Sequence, residues 1–286
     1  MHALPFLLAL PSAVILAPAV LRTLGESGHT QANYRERLLA YPFGVLIVAA
    51  ALLALIPLVL LERLAGSGVF HPEALPIALY ALGVATLGLI DDTLAEGRSG
   101  ISGPSTRPVR RGWRGHGRAA LRGELSTGTL KAAGSLGLAL FAMSFAGFSE
   151  PRWLLAAGVL VLATNVFNLL DLRPGRAIKA FVPLGAGLTL GSLEVRPLWS
   201  LGLFVAPALV AGLYDLRERA MLGDTGANLL GALAGLWLVL TLSGTGQLIA
   251  LALLVAITLY GELRSISALV ERTPALRALD SWGRPS

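Results

Sequence analysis

The chain has 286 residues, of which 55% are hydrophobic and 14% are charged. A soluble domain carries about 25% charged residues, so this composition excludes an ordinary soluble domain and predicts a polytopic membrane protein. The net charge of +6 would suit nucleic acid, but the basic residues fall in short loops between apolar runs. That is the pattern of membrane topology, so no nucleic acid partner is expected. Cys is absent, which excludes disulfides and Cys-ligated metals.

Nine apolar runs follow one another along the chain. They predict one all-α domain, residues 1–286, with about nine transmembrane helices in a lipid bilayer. After the last run, leucines alternate with arginines, which predicts an amphipathic C-terminal helix on the inner leaflet. The runs lie near residues 3–21, 43–61, 74–91, 128–147, 152–170, 178–193, 197–214, 226–243 and 246–262.

The basic residues indicate the orientation in the membrane. Only Arg63, Arg152 and Arg196 fall on one side, and all other basic residues fall on the other side. The positive-inside rule makes this second side cytoplasmic and places the N terminus outside the cell membrane. Every aspartate of the chain also falls on the cytoplasmic side. The predicted cytoplasmic loops cover about 22–42, 93–127, 171–177, 215–225 and 263–286.

A pair of adjacent carboxylates, Asp91 and Asp92, ends the third run. Adjacent carboxylates repel each other, so the pair calls for a nearby cation. Mg²⁺, alone or bound to a substrate phosphate, would supply that charge. The alternative is that the pair simply ends a span in the headgroup region.

Asn165, Asn168 and Asp171 end the fifth run at intervals of three residues. On a helix they spread over about 120° of the surface. Two amides and a carboxylate suit hydrogen bonding to a sugar, ribose or base, with Asp171 also available to a metal. The alternative is that these polar side chains join neighbouring helices.

Residues 223–226, Gly-Asp-Thr-Gly, precede the eighth run. Glycine allows close backbone approach, and a helix N-terminus favours phosphate oxygens, so Asp224 would hold Mg²⁺ between them. The Asp-Thr pair would also make an ordinary helix cap.

Cationic side chains stand near these motifs. Lys131 and Lys179, the two lysines of the chain, each begin a run on the cytoplasmic side. They would contact a pyrophosphate or anchor the span at the interface. The loop 93–127 is rich in Arg and Gly, which indicates attraction to anionic lipid headgroups or an anion-binding loop. His116 in this loop is predicted to be a solvated residue or a phosphate donor.

Taken in chain order, these motifs resemble the polyprenyl-phosphate N-acetylhexosamine-1-phosphate transferases. The resemblance extends over most of the chain and depends on the order of the motifs rather than on any single one. It covers residues 33–35 (Asn-Tyr-Arg), 42–44 (Pro-Phe-Gly), 88–92, 128–131 (Gly-Thr-Leu-Lys), 165–171 and 223–226.

The resemblance implies a reaction and a set of roles. N-acetylhexosamine-1-phosphate would pass from a UDP-amino sugar to polyprenyl phosphate, releasing UMP, in cell-envelope polysaccharide synthesis. Asp92 and Asp224 would hold the Mg²⁺ cofactor, and Asp91 would be the base or would orient the lipid phosphate. A homodimer is compatible with the resemblance. Taken together, the motifs and the cations near them predict substrate contacts for Asn33, His116, Lys131, Asn165, Asn168, Asp171, Arg173, Arg176 and Lys179.

The chain departs from the family pattern at several places. Members often continue past the second motif as Asp-Gly-x-Asp-Gly, whereas this chain places Arg173 and Arg176 there. Met221 stands where an aromatic residue often stacks on uracil. The His-rich loop of the peptidoglycan enzyme is missing, which argues against that member.

Two other functions were weighed against the transferase. The lost acidic position favours a catalytically weakened homologue that binds polyprenyl phosphate or assists another envelope enzyme. A transporter is disfavoured, because the acidic residues lie at the ends of the runs rather than at their midpoints.

Overall fold

The computed structural model describes residues 1–96 and 127–285. Most of them are helical, and one short antiparallel hairpin pairs Thr30 with Ala40 and Ala32 with Leu38. The helices are α1 Leu4–Glu26, α2 Val45–Ala65, α3 Ala74–Glu96, α4 Thr127–Met143, α5 Glu150–Leu170, α6 Arg176–Ser192, α7 Arg196–Ser200, α8 Gly202–Leu216, α9 Gly223–Thr241, α10 Gly244–Leu263, α11 Ile266–Arg272 and α12 Pro274–Ser281; the strands are β1 Thr30–Ala32 and β2 Leu38–Ala40.

The apolar runs form the helices that the sequence predicts, which confirms an all-α membrane protein. Within the described residues, six helices are long and apolar enough to cross a membrane: α1, α2, α3, α5, α9 and α10. Helices α4 and α8 are apolar but shorter, and the seventh run is divided between α7 and α8. The count of nine spans and their orientation stay predictions.

Helix α9 is the central element, because 89% of its apolar window is buried. It packs against α3 and α5, and glycines bring these helices close together. A Cβ on Gly231 would lie 2.5 Å from the Cα of Thr164, and a Cβ on Gly88 would lie 2.5 Å from the backbone oxygen of Asp224. Small residues allow such backbone approach between membrane helices. The end of α3, with its two aspartates, therefore lies against the start of α9.

The hairpin in the first loop is a departure from the expected all-helical fold. The Asn33 side-chain oxygen accepts hydrogen bonds from the N–H groups of Arg35 at 2.8 Å and Arg37 at 3.1 Å, which forms the turn. Strand β2 is joined to a distant segment, since the N–H of Met221 donates to the Ala40 oxygen at 2.9 Å. The hairpin thus depends partly on a long-range contact.

The C-terminal segment differs from the single amphipathic helix that was expected. It forms two short helices, because Ser265 caps α11 by accepting from the Ala268 N–H at 3.2 Å, and Pro274 then begins α12. Proline is well suited to the first turn of a helix and not to its interior. On α12, Asp280 is buried while Leu279 is exposed, so this helix docks on the protein through its charged side.

Candidate active site

Two of the three acidic motifs meet at one lysine. The Lys131 ammonium lies 3.5 Å from the Asp91 carboxylate and pairs closely with the Asp224 carboxylate. Asp91 lies near the end of α3, Lys131 in the first part of α4 and Asp224 in the first turn of α9. All three side chains are partly exposed. Carboxylates from separate helices therefore converge on one cation at an accessible position.

Asp92 is an anchor within the protein. Its side chain is only 1% exposed, and it accepts hydrogen bonds from the N–H of Asp224 at 2.9 Å, the N–H of Thr225 at 2.8 Å and the Thr225 hydroxyl at 2.6 Å. The Tyr41 hydroxyl donates a further bond. The first N–H groups of a helix have no partner within the helix, so Asp92 caps α9 from α3. These N–H groups are therefore already occupied and are not free to bind a phosphate.

Asp171 follows α5 and belongs to the same acidic neighbourhood. Burial raises the pKa of its carboxyl group well above the usual value, and the nearby carboxylates of Asp215, Asp224 and Asp92 raise it further. Among the described residues, no hydrogen bond to the Asp171 side chain is formed. The motif that ends at Asp171 is thus close enough to the other two to interact with them.

Asp215 is a residue that the sequence analysis used only as a marker of topology. It is 1% exposed at the end of α8, and it accepts hydrogen bonds from the N–H of Gly175 at 2.6 Å and the N–H of Leu222 at 3.2 Å. These bonds join the turn that carries Asp171 to the segment that leads into α9. Asp215 is therefore a positioning residue for two of the acidic motifs.

The asparagines near the site have different environments. Asn165 donates to the Thr258 hydroxyl at 3.3 Å, which matches the alternative of a polar contact between helices. Asn168 is half-buried and forms no side-chain hydrogen bond within the described part of the chain. Asn228, one turn after Asp224, is 1% exposed, and neither of its amide atoms has a partner among the described residues. Sequence analysis missed Asn228, because a single amide in an apolar run carries no motif.

Three cations predicted to contact substrate have partners within the protein. Arg176 is 6% exposed and donates to both carboxylate oxygens of Asp280, at 2.7 and 3.1 Å. The Lys179 ammonium donates to the backbone oxygen of Asp280 at 2.6 Å, and Arg173 pairs with Glu271. These contacts hold the C-terminal segment. Contact of the three side chains with a substrate stays a prediction.

Asn33 also has a structural role. It is 7% exposed, and its amide nitrogen donates to Glu218 at 3.3 Å while its oxygen forms the hairpin turn. Both ends of the amide are thus used inside the protein, and contact of Asn33 with a substrate stays a prediction. His116 lies outside the described residues.

The residues of this site fit Mg²⁺ if two carboxylates hold the ion. No group of three or more His, Asp or Glu side chains is placed to hold a metal within the part of the chain that the structure describes. Protein Mg²⁺ sites often use only one or two carboxylates, with waters and substrate phosphates completing the shell. Asp91 and Asp224 fit such a site, whereas both oxygens of Asp92 are occupied. We therefore assign the ion to Asp91 and Asp224, and give Asp92, which was expected to be a metal ligand, a positioning role.

A cavity of about 370 Å³ lies away from this site. It is lined mainly by apolar side chains from the start of α1, the 66–73 loop, α3 and the α7–α8 region, including Pro5, His71 and Trp199. None of the described residues singled out from the sequence lines it. Its volume alone therefore does not make it a candidate active site.

The chain was compared with known proteins. It matches no model of a known protein family, and no curated protein sequence matches it significantly.

Proposed function

We propose that this protein is a Mg²⁺-dependent phosphoglycosyl transferase. It would transfer an N-acetylhexosamine-1-phosphate from a UDP-amino sugar to polyprenyl phosphate in the synthesis of a cell-envelope polysaccharide. The observation that carries the proposal is the convergence of Asp91 and Asp224 on Lys131, beside the acidic Asp171. Excess carboxylates of this kind favour a divalent cation, and a pyrophosphate would be held through that cation.

Each side chain has a role in this proposal. Asp91 and Asp224 would hold the ion, which would supply charge to screen the repulsion between the phosphates and to stabilise the leaving UMP. Lys131 compensates one of the two carboxylate charges in the free protein and would turn to a phosphate oxygen when the substrate is bound. Asp92 keeps Asp224 in place through the α9 cap, and Asp215 keeps the turn beside Asp171 in place.

The reaction is a displacement at phosphorus. An oxygen of the lipid phosphate forms a bond to the β-phosphorus of the UDP-sugar, and the bond from this phosphorus to the bridging oxygen breaks. UMP leaves with the electron pair of that bond. A phosphate monoester has a second pKa of about 6, so the attacking oxygen is largely ionised at neutral pH. Asp91 therefore orients the nucleophile through the shared site and does not need to remove a proton.

The proposal includes a membrane arrangement. The protein would cross the cell membrane nine times, with the N terminus outside and the active site on the cytoplasmic face, and it would act alone or as a homodimer. The chain has no Cys, so Glu26→Cys and Glu194→Cys, both at exposed positions, provide single labels on opposite predicted sides. In intact cells, a membrane-impermeant maleimide should label only the second variant. Labelling of the first variant alone would show that the orientation is opposite to the predicted one.

A second candidate is a catalytically weakened homologue that binds polyprenyl phosphate. The observation that favours it is the use of Arg173 and Arg176 to hold the C-terminal segment, in place of the acidic position expected from the resemblance. A panel assay separates the two functions. Purified protein, Mg²⁺ and undecaprenyl phosphate are incubated with several UDP-sugars, and released UMP is measured. Release with at least one sugar supports the transferase; lipid binding without release supports the second candidate.

A further inference from the structure

A cavity of about 370 Å³ lies between the hairpin, the turn after Asp171 and the C-terminal segment. Tyr34 lines it, and the Cζ atoms of Arg173, Arg35 and Arg284 lie 4.8, 5.3 and 5.6 Å from the centroid of the Tyr34 ring. Arg277 also lines the cavity. Four guanidinium groups therefore surround one small space, whose volume is typical of a ligand site.

The negative charge in this cavity does not balance the arginines. Among the described residues, the lining contains four arginines and two acidic residues, Glu271 and Asp280, and Glu218 lies 3.8 Å from Arg35 outside the lining. Asp280 also pairs with the buried Arg176, so its single charge is shared beyond the cavity. Arg277 is exposed and forms no ion pair within the described residues. Clustered guanidinium groups repel one another unless an anion is present, and their planar geometry suits phosphate.

Apolar side chains beside the cavity point away from the protein. Leu279 is 52% exposed and Trp282 is 70% exposed, and Leu276 is also exposed. A helix that docks on water-soluble protein would show the reverse pattern, with leucines inside and charges outside. Leucine and tryptophan beside cations are typical of segments that lie in the membrane interface.

We propose that the C-terminal segment and the hairpin form a binding site for an anionic phospholipid. The lipid phosphate would lie in the arginine cavity, beside Arg277 and the arginines around Tyr34. The exposed leucines and Trp282 would enter the interface next to its acyl chains. This inference goes beyond the transferase proposal and does not depend on it.

The test measures lipid binding to the full-length protein in detergent, without Mg²⁺ or UDP-sugar. The probes are short-chain phosphatidylglycerol, short-chain phosphatidylcholine, undecaprenyl phosphate, inorganic phosphate and UMP. Wild type should bind phosphatidylglycerol at least about tenfold more tightly than phosphatidylcholine. From the usual contribution of a surface arginine, Arg277→Gln should weaken phosphatidylglycerol binding about fivefold and Arg277→Glu more than tenfold, whereas Arg277→Lys should retain it. The matched control is Arg272→Glu, an exposed arginine of the same segment that does not line the cavity.

Several results would overturn the inference. Equal affinity for the two phospholipids would show that the cavity is not a specific site for an anionic lipid. An equal loss of phosphatidylglycerol affinity in Arg272→Glu and Arg277→Glu would show general electrostatic attraction instead. Binding of inorganic phosphate or UMP with the same dependence on Arg277 would identify a soluble anion as the ligand. Selective dependence of undecaprenyl phosphate on Arg277 would assign the cavity to that lipid. Arg277 makes no ion pair with the described residues, so unchanged melting temperatures should verify folding of its variants. Transferase activity does not enter the measurement.

Discussion

Two charged clusters of opposite sign distinguish this protein. In the acidic site, the carboxylates of Asp91 and Asp224 share the single ammonium of Lys131. In the C-terminal cluster, the carboxylate of Asp280 pairs with the guanidinium groups of Arg176 and Arg284. Among the described residues, Lys131 faces two carboxylates in the first cluster, and Asp280 faces two guanidinium groups in the second. The excess charge is negative in the first and positive in the second.

The difference shows how each cluster relates to ligands. Asp280 and Arg176 are almost fully buried and bind each other through a two-point contact, so this part of the C-terminal cluster is structural. Asp91, Lys131 and Asp224 are partly exposed, so the acidic cluster is open to a cation or phosphate. Burial of a satisfied ion pair favours a structural role, and exposure of unbalanced charge favours binding.

The largest expected effect is on transfer activity after a change in the acidic site. Asp224→Asn removes a carboxylate from the pair that converges on Lys131, and loss of a metal ligand should lower the rate at least about 100-fold, since changes even in outer-shell partners can cost this much. Glu194→Gln, at an exposed carboxylate outside the site, should leave the rate within about twofold. UMP release measured over a Mg²⁺ titration provides the test. A normal rate in Asp224→Asn would show that the acidic cluster does not take part in the reaction.

A substitution in the C-terminal cluster should weaken the attachment of the C-terminal segment rather than directly change the transfer reaction. Asp280→Asn leaves the buried Arg176 without its anion, and breaking a buried pair costs about 3–5 kcal/mol. The C-terminal segment should detach and be cut much faster by trypsin at neutral pH. Glu271→Gln, on the same segment and more exposed, should change the cleavage rate little. Equal protection of wild type and Asp280→Asn would show that other contacts hold the segment.

The contact of Asp280 with Arg176 and Arg284 also predicts that the stability of the C-terminal segment depends on pH. Burial acts to raise the pKa of Asp280, but hydrogen bonds from Arg176 and Arg284 lower it to about 2, from an ordinary value of 3.8. A carboxyl group whose pKa is lowered on folding stabilises the protein above its unfolded pKa. This stabilisation is lost as the pH falls from about 4 to about 2. Hydrogen exchange in α12 should accelerate over this range in wild type, and the Asp280→Asn variant should show a flatter profile.

Substitutions of the adjacent residues Asp91 and Asp92 should affect different properties of the protein. Asp92→Asn leaves one oxygen to accept the bonds that cap α9, which should lower the free energy of unfolding by about 1–3 kcal/mol. Asp91→Asn should leave stability nearly unchanged, because its partly exposed carboxylate lies with Lys131, and it should lower transfer activity. Thermal unfolding in detergent and UMP release are measured on both variants. Equal losses of stability would contradict the different roles of these residues.

A smaller effect is expected within the helix bundle. Asn165→Ala removes the hydrogen bond to Thr258 between α5 and α10. Such bonds between membrane helices contribute about 0.6 kcal/mol on average, so the melting temperature should fall slightly. Thr258→Val should produce a similar shift, and the double variant should cost little more than either single change. Additive losses would indicate that the two side chains act independently.

The sequence was sufficient for the elements that depend on local composition. Each of the nine apolar runs is helical, because long apolar segments satisfy their backbone groups within the helix. The hairpin was missed, since its position depends on the contact between Ala40 and Met221, which are far apart in the chain. The break at Pro274 was readable from the sequence, because proline does not fit a helix interior.

The site was predictable only in part. Aspartates at the ends of apolar runs indicated a shared site, and the structure brings Asp91 and Asp224 to one lysine. The division of roles between Asp91 and Asp92 was not predictable, because it depends on which side chain faces the start of α9. The partners of Arg176 and Lys179 were also hidden, since Asp280 lies about a hundred residues further along the chain.

The central claim is that the acidic cluster transfers a sugar phosphate to a lipid. The most direct measurement counts UMP and labelled lipid product from the same reaction of wild type with undecaprenyl phosphate, Mg²⁺ and a panel of labelled UDP-amino sugars. The account predicts equal amounts of UMP and lipid-linked sugar pyrophosphate with at least one sugar, and loss of both on chelation of Mg²⁺. Absence of product from every sugar, by protein that still binds undecaprenyl phosphate, would contradict it.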